Sequence, residues 1–435
     1  MIKRNGNRNS TVALYWVIAL IGILITACQD IIQELPISRP APESGSPEPK
    51  QGLKLGALLP YTGDLALLGQ PVIQTLPIVV DRVNACGGVN DANVELIVED
   101  DQTRSDAATV AMSRLVEEDV GAVIVGFSRV TSTPVLNIAI DSQIPVISPS
   151  NTSPSFTEQA KQGIFKGFWM RTVSSDVYQA RALAKFAIEQ NIRTISIVVV
   201  DNEDGISFEN AFIEAFESLG GIILTKTDPI RYNPQSPSLD FEASVAFLPY
   251  TGKPDAVVAD LDPQGGIKIL RSAYELGLTN GVQILLTDGV QPDSFSTAVG
   301  LTYDGIPILE GAIGIVPGAT GPGLEALANL WQEQEEGSLP PFVAQTWDAA
   351  SLILLAAQAA NVNDGNAIQE KLRNVANPPG IAVIDVCEGL KMLKSGQDID
   401  YQGASGNVDI DENGDVIGSY EFWTVDEQGN VERIN

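Results

Sequence analysis

The chain has 435 residues, of which 44% are hydrophobic, as is typical of a globular protein of about two domains. Its 55 acidic and 26 basic residues give a formal net charge of -29 at pH 7, which argues against nucleic acid or an anionic membrane surface as a partner. Histidine is absent, so a Ser-His-Asp triad, an HExxH zinc site and an imidazole base are excluded.

The start of the chain has the layout of an export signal. Lys3 and Arg4 precede an apolar run over residues 11–27 that is slightly short for a membrane span. The run ends in Ile-Thr-Ala-Cys, which resembles the lipobox of bacterial lipoproteins. This resemblance implies that residues 1–27 are a lipoprotein signal peptide and that Cys28 carries the lipid anchor. An uncleaved span is the alternative, and both place the rest of the chain outside the cytoplasm.

A tether is predicted after the signal. Residues 28–51 are rich in proline, serine and glutamate and have few apolar side chains to pack. Such a composition is typical of a semi-extended linker. It would hold a folded body away from the membrane.

From residue 53 onward, predicted strands and helices alternate, and the same order starts again after Arg171. Two of the helices end in glycine pairs, at residues 87–88 and 220–221, which are helix stop signals. The predicted strands cover residues 53–59, 94–99, 122–126, 144–147, 194–200 and 222–226, and the segments 254–261 and 282–290 match those that contain the third and fourth of these strands. The repeat predicts two lobes of one α/β type, each with a parallel sheet between helices.

Nucleotide binding is disfavoured, although alternating strands and helices would also suit a dinucleotide-binding enzyme. The loop after the first strand, residues 60–69, has no GxGxxG pattern, and GxxxxGK[ST] occurs nowhere in the chain.

Hydroxyl side chains follow two neighbouring strands of the first lobe. Ser128 and Thr131 come after one strand, and Ser150 and Thr152 come after the next. Ligands of open α/β sheets bind at the carboxyl ends of strands, where helix N-termini offer N–H groups to an anion. Helix capping is the alternative role of these hydroxyls.

In the second lobe, the equivalent strand ends carry Leu261 and Asp288. If the lobes face each other, the hydroxyls suit a carboxylate and Asp288 suits an ammonium group. The two walls together predict a zwitterionic ligand. A helix N-cap is the alternative role of Asp288.

The C-terminal third changes pattern. Helices are predicted over residues 323–333, 342–360 and 367–375, packed on the first lobe, and antiparallel hairpins over residues 406–431. Residues 409–415 resemble the start of an EF-hand, but Tyr420 occupies the position of the final glutamate, which favours a plain turn.

Two further cysteines, Cys86 and Cys387, lie far apart in sequence. An exported protein can form disulfides, but two buried thiols are equally compatible with the sequence.

Several segments together resemble the substrate-binding proteins of branched-chain (leucine/isoleucine/valine) amino-acid ABC transporters, which have the type I periplasmic binding protein fold. The similarity covers residue 53 to the C-terminus, and its segments are LKLGALLPYTGDLALLG, NACGGVN, AVIVG, VISPSNTSP, FWMRT, TDG and DYQGASGNVDIDENGD. The resemblance implies an α/β fold of two Rossmann-like lobes with parallel sheets, joined by three crossovers. The crossovers are expected near Arg171, Ala312 and Gly418. Lobe 1 would then comprise residues 52–171 and 313–418, and lobe 2 residues 172–312 and 419–435.

The resemblance also implies ligand-binding positions. The loop from Ser128 to Thr131, with Ser150 and Thr152, corresponds to the contacts of the ligand's carboxylate and backbone, and Asp288 to the ammonium contact. Three positions that are often aromatic in the family are Leu68, Asp204 and Leu261 here, and Phe342 and Trp347 correspond to aromatic residues near the cleft. The leucines keep the pocket apolar, whereas Asp204, Asp260 and Asp262 would make part of it polar.

The implied function is that of an extracytoplasmic receptor of an ABC importer. It would bind an amino acid, aliphatic or branched-chain, or a related small metabolite, close by a hinge movement and deliver the ligand to the transmembrane subunits of a permease. The resemblance implies a monomer without cofactor, metal or catalysis, held to the membrane by its N-terminal lipid. A ligand-sensing ectodomain that signals to a partner is the alternative. An enzyme with paired carboxylates such as Asp260 and Asp288 is a third interpretation.

Overall fold

A computed structural model describes residues 52–126, 128–290, 292–333 and 339–434. The predicted signal peptide and the predicted tether, which includes Cys28, lie outside the described residues.

The first sheet is formed by the first five strands, which are short, apolar and followed by turns. They are β1 (Lys54–Leu59), β2 (Glu95–Asp100), β3 (Ala122–Val125), β4 (Val146–Ser148) and β5 (Trp169–Arg171). All neighbours are parallel, in the order β2-β1-β3-β4-β5. Every residue of β3 and β4 is buried, because helices cover both faces of the sheet. These helices are α1 (Ala66–Ala85), α2 (Ser105–Glu117), α3 (Arg129–Asp141) and α4 (Pro154–Lys161).

The second lobe repeats this arrangement. Its helices are α5 (Asp176–Glu189), α6 (Glu203–Ser218), α7 (Asp240–Phe247), α8 (Pro263–Glu275) and α9 (Pro292–Val299). Its strands are β6 (Thr194–Val200), β7 (Ile222–Ile223), β8 (Ile230–Tyr232), β9 (Ala256–Asp260), β10 (Gln283–Leu286) and β11 (Ile313–Pro317). All the pairs that these strands form with one another are parallel.

The chain then returns to the first lobe, as expected from the sequence. Its elements there are α10 (Leu324–Gln332), α11 (Val343–Ala360), α12 (Gly365–Ala376), β12 (Ile381–Val383), α13 (Val386–Lys394) and β13 (Ile399–Tyr401). Helix α11 is buried on all sides and packs against α1, β3 and β4, which explains its lack of a polar face. A disulfide between Cys86 and Cys387 links the end of α1 to α13, with the two Cα atoms 6.0 Å apart.

The last two strands complete the second sheet. Strands β14 (Tyr420–Val425) and β15 (Val431–Ile434) form an antiparallel hairpin, and the sheet order is β15-β14-β11-β10-β9-β6-β7, with β8 also beside β6. The hairpin prediction is therefore confirmed for this part. Residues 406–416, also predicted as hairpin, form loops and turns instead. The Asp411 carboxylate accepts hydrogen bonds from the N–H groups of Asn413 and Asp415 and organises the turn there.

Three crossovers join the lobes. The first follows β5, which ends at Arg171, and the third precedes β14, which begins at Tyr420. The second lies after Pro317 rather than near Ala312, because β11 pairs with β10 and β14 inside the second sheet. The local apolar pattern of residues 313–317 suits a strand of either lobe, and the pairing decides its place.

The crossover segments contact one another. The Gly418 N–H donates a hydrogen bond to the Ser174 hydroxyl, and the Gly318 N–H donates to the Ser419 carbonyl at 2.8 Å. The three crossover segments lie side by side and are joined by these hydrogen bonds, an arrangement that is typical of a hinge between two lobes.

Among the described residues, no helix combines the length and apolar character needed to cross a membrane.

Candidate ligand-binding site

The strand ends of the two lobes face each other. Helix α4 of lobe 1 contacts α6 of lobe 2, and the Ser153 hydroxyl donates a hydrogen bond to the Asp204 carboxylate across this contact. A second bridge joins the Gln264 amide at the start of α8 to Asp64 in the first loop, at 3.0 Å. These contacts place Asp204 of lobe 2 against the loop of lobe 1 that carries Ser150 and Thr152.

Ser128 and Thr131 serve the local structure of lobe 1. The Ser128 hydroxyl caps α3 by accepting a hydrogen bond from the Val130 N–H at 3.1 Å. The Thr131 hydroxyl donates to the Ser128 carbonyl at 3.1 Å and also favours the charged form of the buried Asp101. Burial outweighs this contact and raises the pKa of Asp101 to about 6.

The loop between β4 and α4 carries the other two hydroxyls. The Ser150 hydroxyl is buried and has no hydrogen-bond partner among the described residues. The Thr152 hydroxyl donates to the Asp176 carboxylate at 2.9 Å, and the Thr152 carbonyl accepts from the Asp176 N–H. Ser150 thus has free capacity for a ligand, and Thr152 connects the loop to the second lobe.

Arg171, at the end of the neighbouring strand β5, holds the backbone of this loop in place. Its fully buried guanidinium donates hydrogen bonds to the carbonyls of Asn151 and Ser153, both at 3.0 Å. It also forms an ion pair with Asp415 at 2.7 Å and donates to the Thr157 hydroxyl at 2.8 Å. A charged side chain with four hydrogen bonds therefore sets the position of the loop backbone.

Three aspartates form the centre of the site on the side of lobe 2. Asp176 begins α5, Asp260 ends β9 and Asp288 follows β10. They are enclosed by protein on most sides yet keep partial exposure to solvent, as expected for residues that line a cleft. We refer to them as the aspartate cluster.

Burial disfavours the charged forms of these carboxyl groups. It raises the pKa of Asp260 and of Asp288 to about 6. The pKa of Asp176 lies well above its ordinary value because of burial first and of the neighbouring charges of Asp288 and Asp260 second. The three groups therefore interact electrostatically as one set.

Neutral groups surround the cluster. The Thr287 hydroxyl donates to Asp260 at 2.7 Å. The Gln179 amide lies beside Asp288 and favours its charged form, but neither polar atom of this amide makes a hydrogen bond of ordinary geometry with a described residue. No member of the cluster forms an ion pair with a described residue.

Two other aspartates near the cluster have structural partners. Asp204 receives the Ser153 hydrogen bond described above. Asp262 caps α8 by accepting from the N–H groups of Gln264 and Gly265, both at 3.0 Å, and it also accepts from the Tyr232 hydroxyl.

The apolar positions lie close to the hydrophobic cores. Leu261 is 2% exposed and belongs to the same core cluster as Phe295 in lobe 2. Leu68 is buried near the start of α1, and it is absent from the core clusters. Phe342 and Trp347 belong to the core of lobe 1. A ligand contact of these side chains stays a prediction.

Asp176 and Gln179 were missed by the sequence reasoning. They lie one turn apart at the start of α5, directly after the first crossover. The Ser-Ser-Asp sequence before this helix is a usable start signal, but nothing local shows that the helix turns toward the ligand region.

The cluster does not have the geometry of a metal site. In the part of the chain that the structure describes, no three acidic or cysteine side chains converge as metal ligands would. The arrangement instead presents several separate acceptor groups opposite the hydroxyl-bearing loop.

Comparison with known proteins supports a ligand-binding role. The chemotactic signal transduction system substrate-binding protein BasB of Halobacterium salinarum is 25% identical over 371 residues, which are 83% of this chain and 84% of that protein. The leucine-, isoleucine-, valine-, threonine- and alanine-binding protein of Pseudomonas aeruginosa is 23% identical over 324 residues, which are 74% of this chain and 82% of that protein.

The fold agrees with a solved structure. The leucine-binding protein LivK of Thermotoga maritima has a TM-score of 0.72 and 23% identity, with 88% of this chain and 98% of that chain covered. A family model described as "Receptor family ligand binding region" matches residues 74–428. With two Rossmann-like lobes, three crossovers and facing strand ends, the chain has the type I periplasmic binding protein fold and belongs to this receptor ligand-binding family.

Proposed function

We propose that this protein is an extracytoplasmic solute receptor that binds an α-amino acid or a related small amine between its lobes, without transforming it. The observation that carries the proposal is the opposition of two walls. A loop with an unpartnered serine hydroxyl, Ser150, faces a cluster of carboxylates that includes Asp288. The amino-acid-binding proteins among the relatives support the same ligand class.

Each wall suits one end of the ligand. The Ser150 hydroxyl and the start of α4 are donors for the ligand's carboxylate. Asp288 is the acceptor for its ammonium group. Such a small ligand gains at most about 1.5 kcal/mol per heavy atom, so useful affinity requires enclosure of both charged ends. Hinge closure at the three crossovers would supply this enclosure.

The side-chain preference is the finer part of the proposal. An aliphatic or branched side chain was predicted from Leu68 and Leu261. Leu68 is buried near the start of α1 outside the core clusters, whereas Leu261 packs within lobe 2. The aliphatic preference therefore depends mainly on Leu68.

Anchoring and delivery follow from the same proposal. The lipid on Cys28 would hold the receptor at the outer face of the cell membrane or in the periplasm, and the closed form would dock on the transmembrane subunits of an ABC permease. Replacing Cys28 by Ser should release the protein from the membrane fraction. Persistent membrane association of this variant would contradict the lipid anchor.

Isothermal titration of the purified protein against the twenty common amino acids tests the binding proposal. We expect saturable heat with one ligand per protein for at least one amino acid. Silence across the whole panel would overturn the assignment of the ligand to the amino acids.

A signalling role is the second candidate, and the similarity to BasB favours it specifically. Uptake of the labelled ligand by cells lacking the receptor gene separates the two roles. Loss of uptake supports transport, whereas normal uptake with a lost behavioural response to the ligand supports signalling.

A further inference from the structure

The aspartate cluster holds more carboxyl groups than one ammonium group can contact. Asp176, Asp260 and Asp288 interact electrostatically, and none forms an ion pair with a described residue. Enclosed like charges repel one another more strongly than they would in water. A ligand with a single cationic group at Asp288 would leave two enclosed carboxyl groups without a counter-charge.

Unpartnered polar atoms in the cluster point independently to a missing ligand group. Gln179 is 1% exposed, and both its amide oxygen and its amide nitrogen lack a hydrogen-bond partner among the described residues. One carboxylate oxygen of Asp176 is also buried without a partner there. Because the two residues are three positions apart on α5, they share one face of the helix, and Gln179 lies beside Asp288.

Two of these atoms, the unpartnered oxygens of Asp176 and Gln179, call for hydrogen-bond donors. The unpartnered oxygens of Asp176 and Gln179 are acceptors, and buried acceptors in native proteins are nearly always satisfied. An aliphatic side chain offers no donor, and the carboxyl groups do not converge on a point as a metal ion would require. An ammonium or guanidinium group offers several donors and a positive charge at once.

We propose that the ligand carries two cationic groups: an α-ammonium bound at Asp288, and a second, side-chain cation bound between Asp176, Asp260 and Gln179. The ligand class is therefore a basic amino acid or, if the hydroxyl-bearing loop binds no ligand carboxylate, a small diamine. This inference rests on the proposed function and replaces its aliphatic preference.

Two cationic groups on the ligand would balance negative charge of the aspartate cluster in the bound state. Each of the two cations would lie against at least one carboxylate, and the remaining carboxyl group would share the second cation. Removal of one partner from such an enclosed pair leaves an uncompensated charge, which is costly. Loss of one carboxylate or of the second cation is therefore expected to weaken binding.

Lysine and 2-aminoheptanoic acid form the decisive pair of ligands, because a methyl group replaces the side-chain ammonium in the second compound. Titration of the purified protein at pH 7.5 should give a lysine affinity at least about thirtyfold higher than that of the neutral compound. Equal or tighter binding of 2-aminoheptanoic acid would overturn the inference and leave the proposed function intact. No binding of either compound or of any other amino acid would instead overturn the proposed function.

Cadaverine distinguishes the two sources of a dication. It has the two amines of lysine but lacks the carboxylate. Binding weaker than that of lysine assigns the ligand to the basic amino acids. Binding as tight as that of lysine keeps the dication and assigns it to the diamines.

Variants localise the second cation. Asp260→Asn and, as an independent variant, Asp176→Asn should each lower the ratio of lysine affinity to 2-aminoheptanoic acid affinity by at least about tenfold. Asp119→Asn is the matched control: this exposed residue precedes β3 at the opposite end of the sheet and has a φ of 60°, which asparagine tolerates. It removes one charge and should leave the ratio unchanged. An unchanged ratio in both cluster variants would contradict the assignment.

Discussion

The carboxyl groups of the aspartate cluster lower the stability of the folded protein at neutral pH. Their pKa values are raised by burial and by mutual repulsion, so the folded protein without ligand opposes their ionisation. Because each folded pKa exceeds the unfolded value, the folded state holds more protons between about pH 4 and pH 6. The free energy of unfolding must therefore fall as pH rises through this window, and Asp101 and Asp348 contribute in the same direction.

Asp260→Asn should consequently stabilise the protein without ligand at pH 7. The neutral amide keeps an acceptor for the Thr287 hydroxyl and has no charge to bury. The pKa rise from 3.8 to about 6 corresponds to less than about 3 kcal/mol, and partial solvent exposure reduces the expected gain to about 1–2 kcal/mol. Urea unfolding at pH 7 and pH 4 checks this, since the difference from the parent should vanish at the lower pH. A variant that is less stable than the parent at pH 7 would contradict the expected effect.

Ligand binding should have the opposite pH dependence. A cationic ligand prefers the ionised carboxylates, so affinity should rise from pH 5 to pH 7 as Asp260 and Asp288 lose protons. The other titratable groups that face them are Asp176, Asp204, Asp262 and Tyr420, and the pKa of Tyr420 is raised by burial and by Asp176 and Asp288. Titration calorimetry at fixed ionic strength measures the trend. Constant affinity across this range would show that the carboxyl groups do not bind the cation.

Sequence reasoning could identify some of these residues and not others. Asp260 and Asp288 follow buried strands, so their position at a sheet end is visible in the local pattern. Asp176 and Gln179 follow a crossover, and only the packing of α5 brings them to the same place. The place of Leu261 in the core could not be predicted from the sequence, because an apolar residue after a strand suits a pocket wall and a core equally well.

At the scale of elements, the loop between β4 and α4 is held by a buried ion pair. Arg171 in β5 and Asp415 in the C-terminal turn connect three segments that are distant in sequence. Asp415 also accepts a hydrogen bond from the Thr157 hydroxyl at 2.6 Å. The turn that resembled an EF-hand in sequence thus contributes a structural carboxylate to the loop that carries Ser150.

Asp415→Ala should be strongly destabilising. It leaves the fully buried Arg171 guanidinium without a counter-charge, and such losses cost about 3–5 kcal/mol. Glu158→Gln is the matched control, because it breaks the exposed ion pair with Lys161 on α4, where a change of at most about 1 kcal/mol is expected. The free energy of unfolding in urea compares the two variants. Equal effects would mean that the buried ion pair does not fix the loop.

The predictability of elements depended on how local their signals are. Helix α11 and strands β3 and β4 have long or well-bounded apolar runs, and they were predicted. The pair β12 and β13 was not, because two of the three residues of β12 are exposed and its partner lies beyond an intervening helix. Strand β11 was not predicted, and its residues were assigned to lobe 1 rather than lobe 2, because its pairing with β10 and β14 is a long-range contact.

At the scale of the whole molecule, lobe 1 is closed by the disulfide between Cys86 and Cys387. The bond spans 301 residues, and its loop encloses lobe 2 except for strands β14 and β15. Crosslinks over long loops restrict the unfolded chain most strongly in the chain-entropy model. The sequence could not establish this pairing, because it depends on the packing of α13 against α1.

Replacing both cysteines by serine should lower the free energy of unfolding by about 2–5 kcal/mol. The measurement is the urea midpoint of the parent and of the double variant, each with and without reductant. Reductant should lower the midpoint of the parent to that of the variant and should leave the variant unchanged. A parent midpoint that is insensitive to complete reduction would contradict a stabilising disulfide.

We propose that closure at the hinge encloses an amine-bearing ligand between the facing walls of the two lobes, with its ammonium group on Asp288. The most direct test is calorimetric titration of the parent and of Asp288→Asn with the best-binding amino acid, side by side. We expect saturable one-to-one binding in the parent and at least about thirtyfold weaker binding in a variant that remains folded. Unchanged affinity in the folded variant would place the ammonium elsewhere and contradict this account of the site.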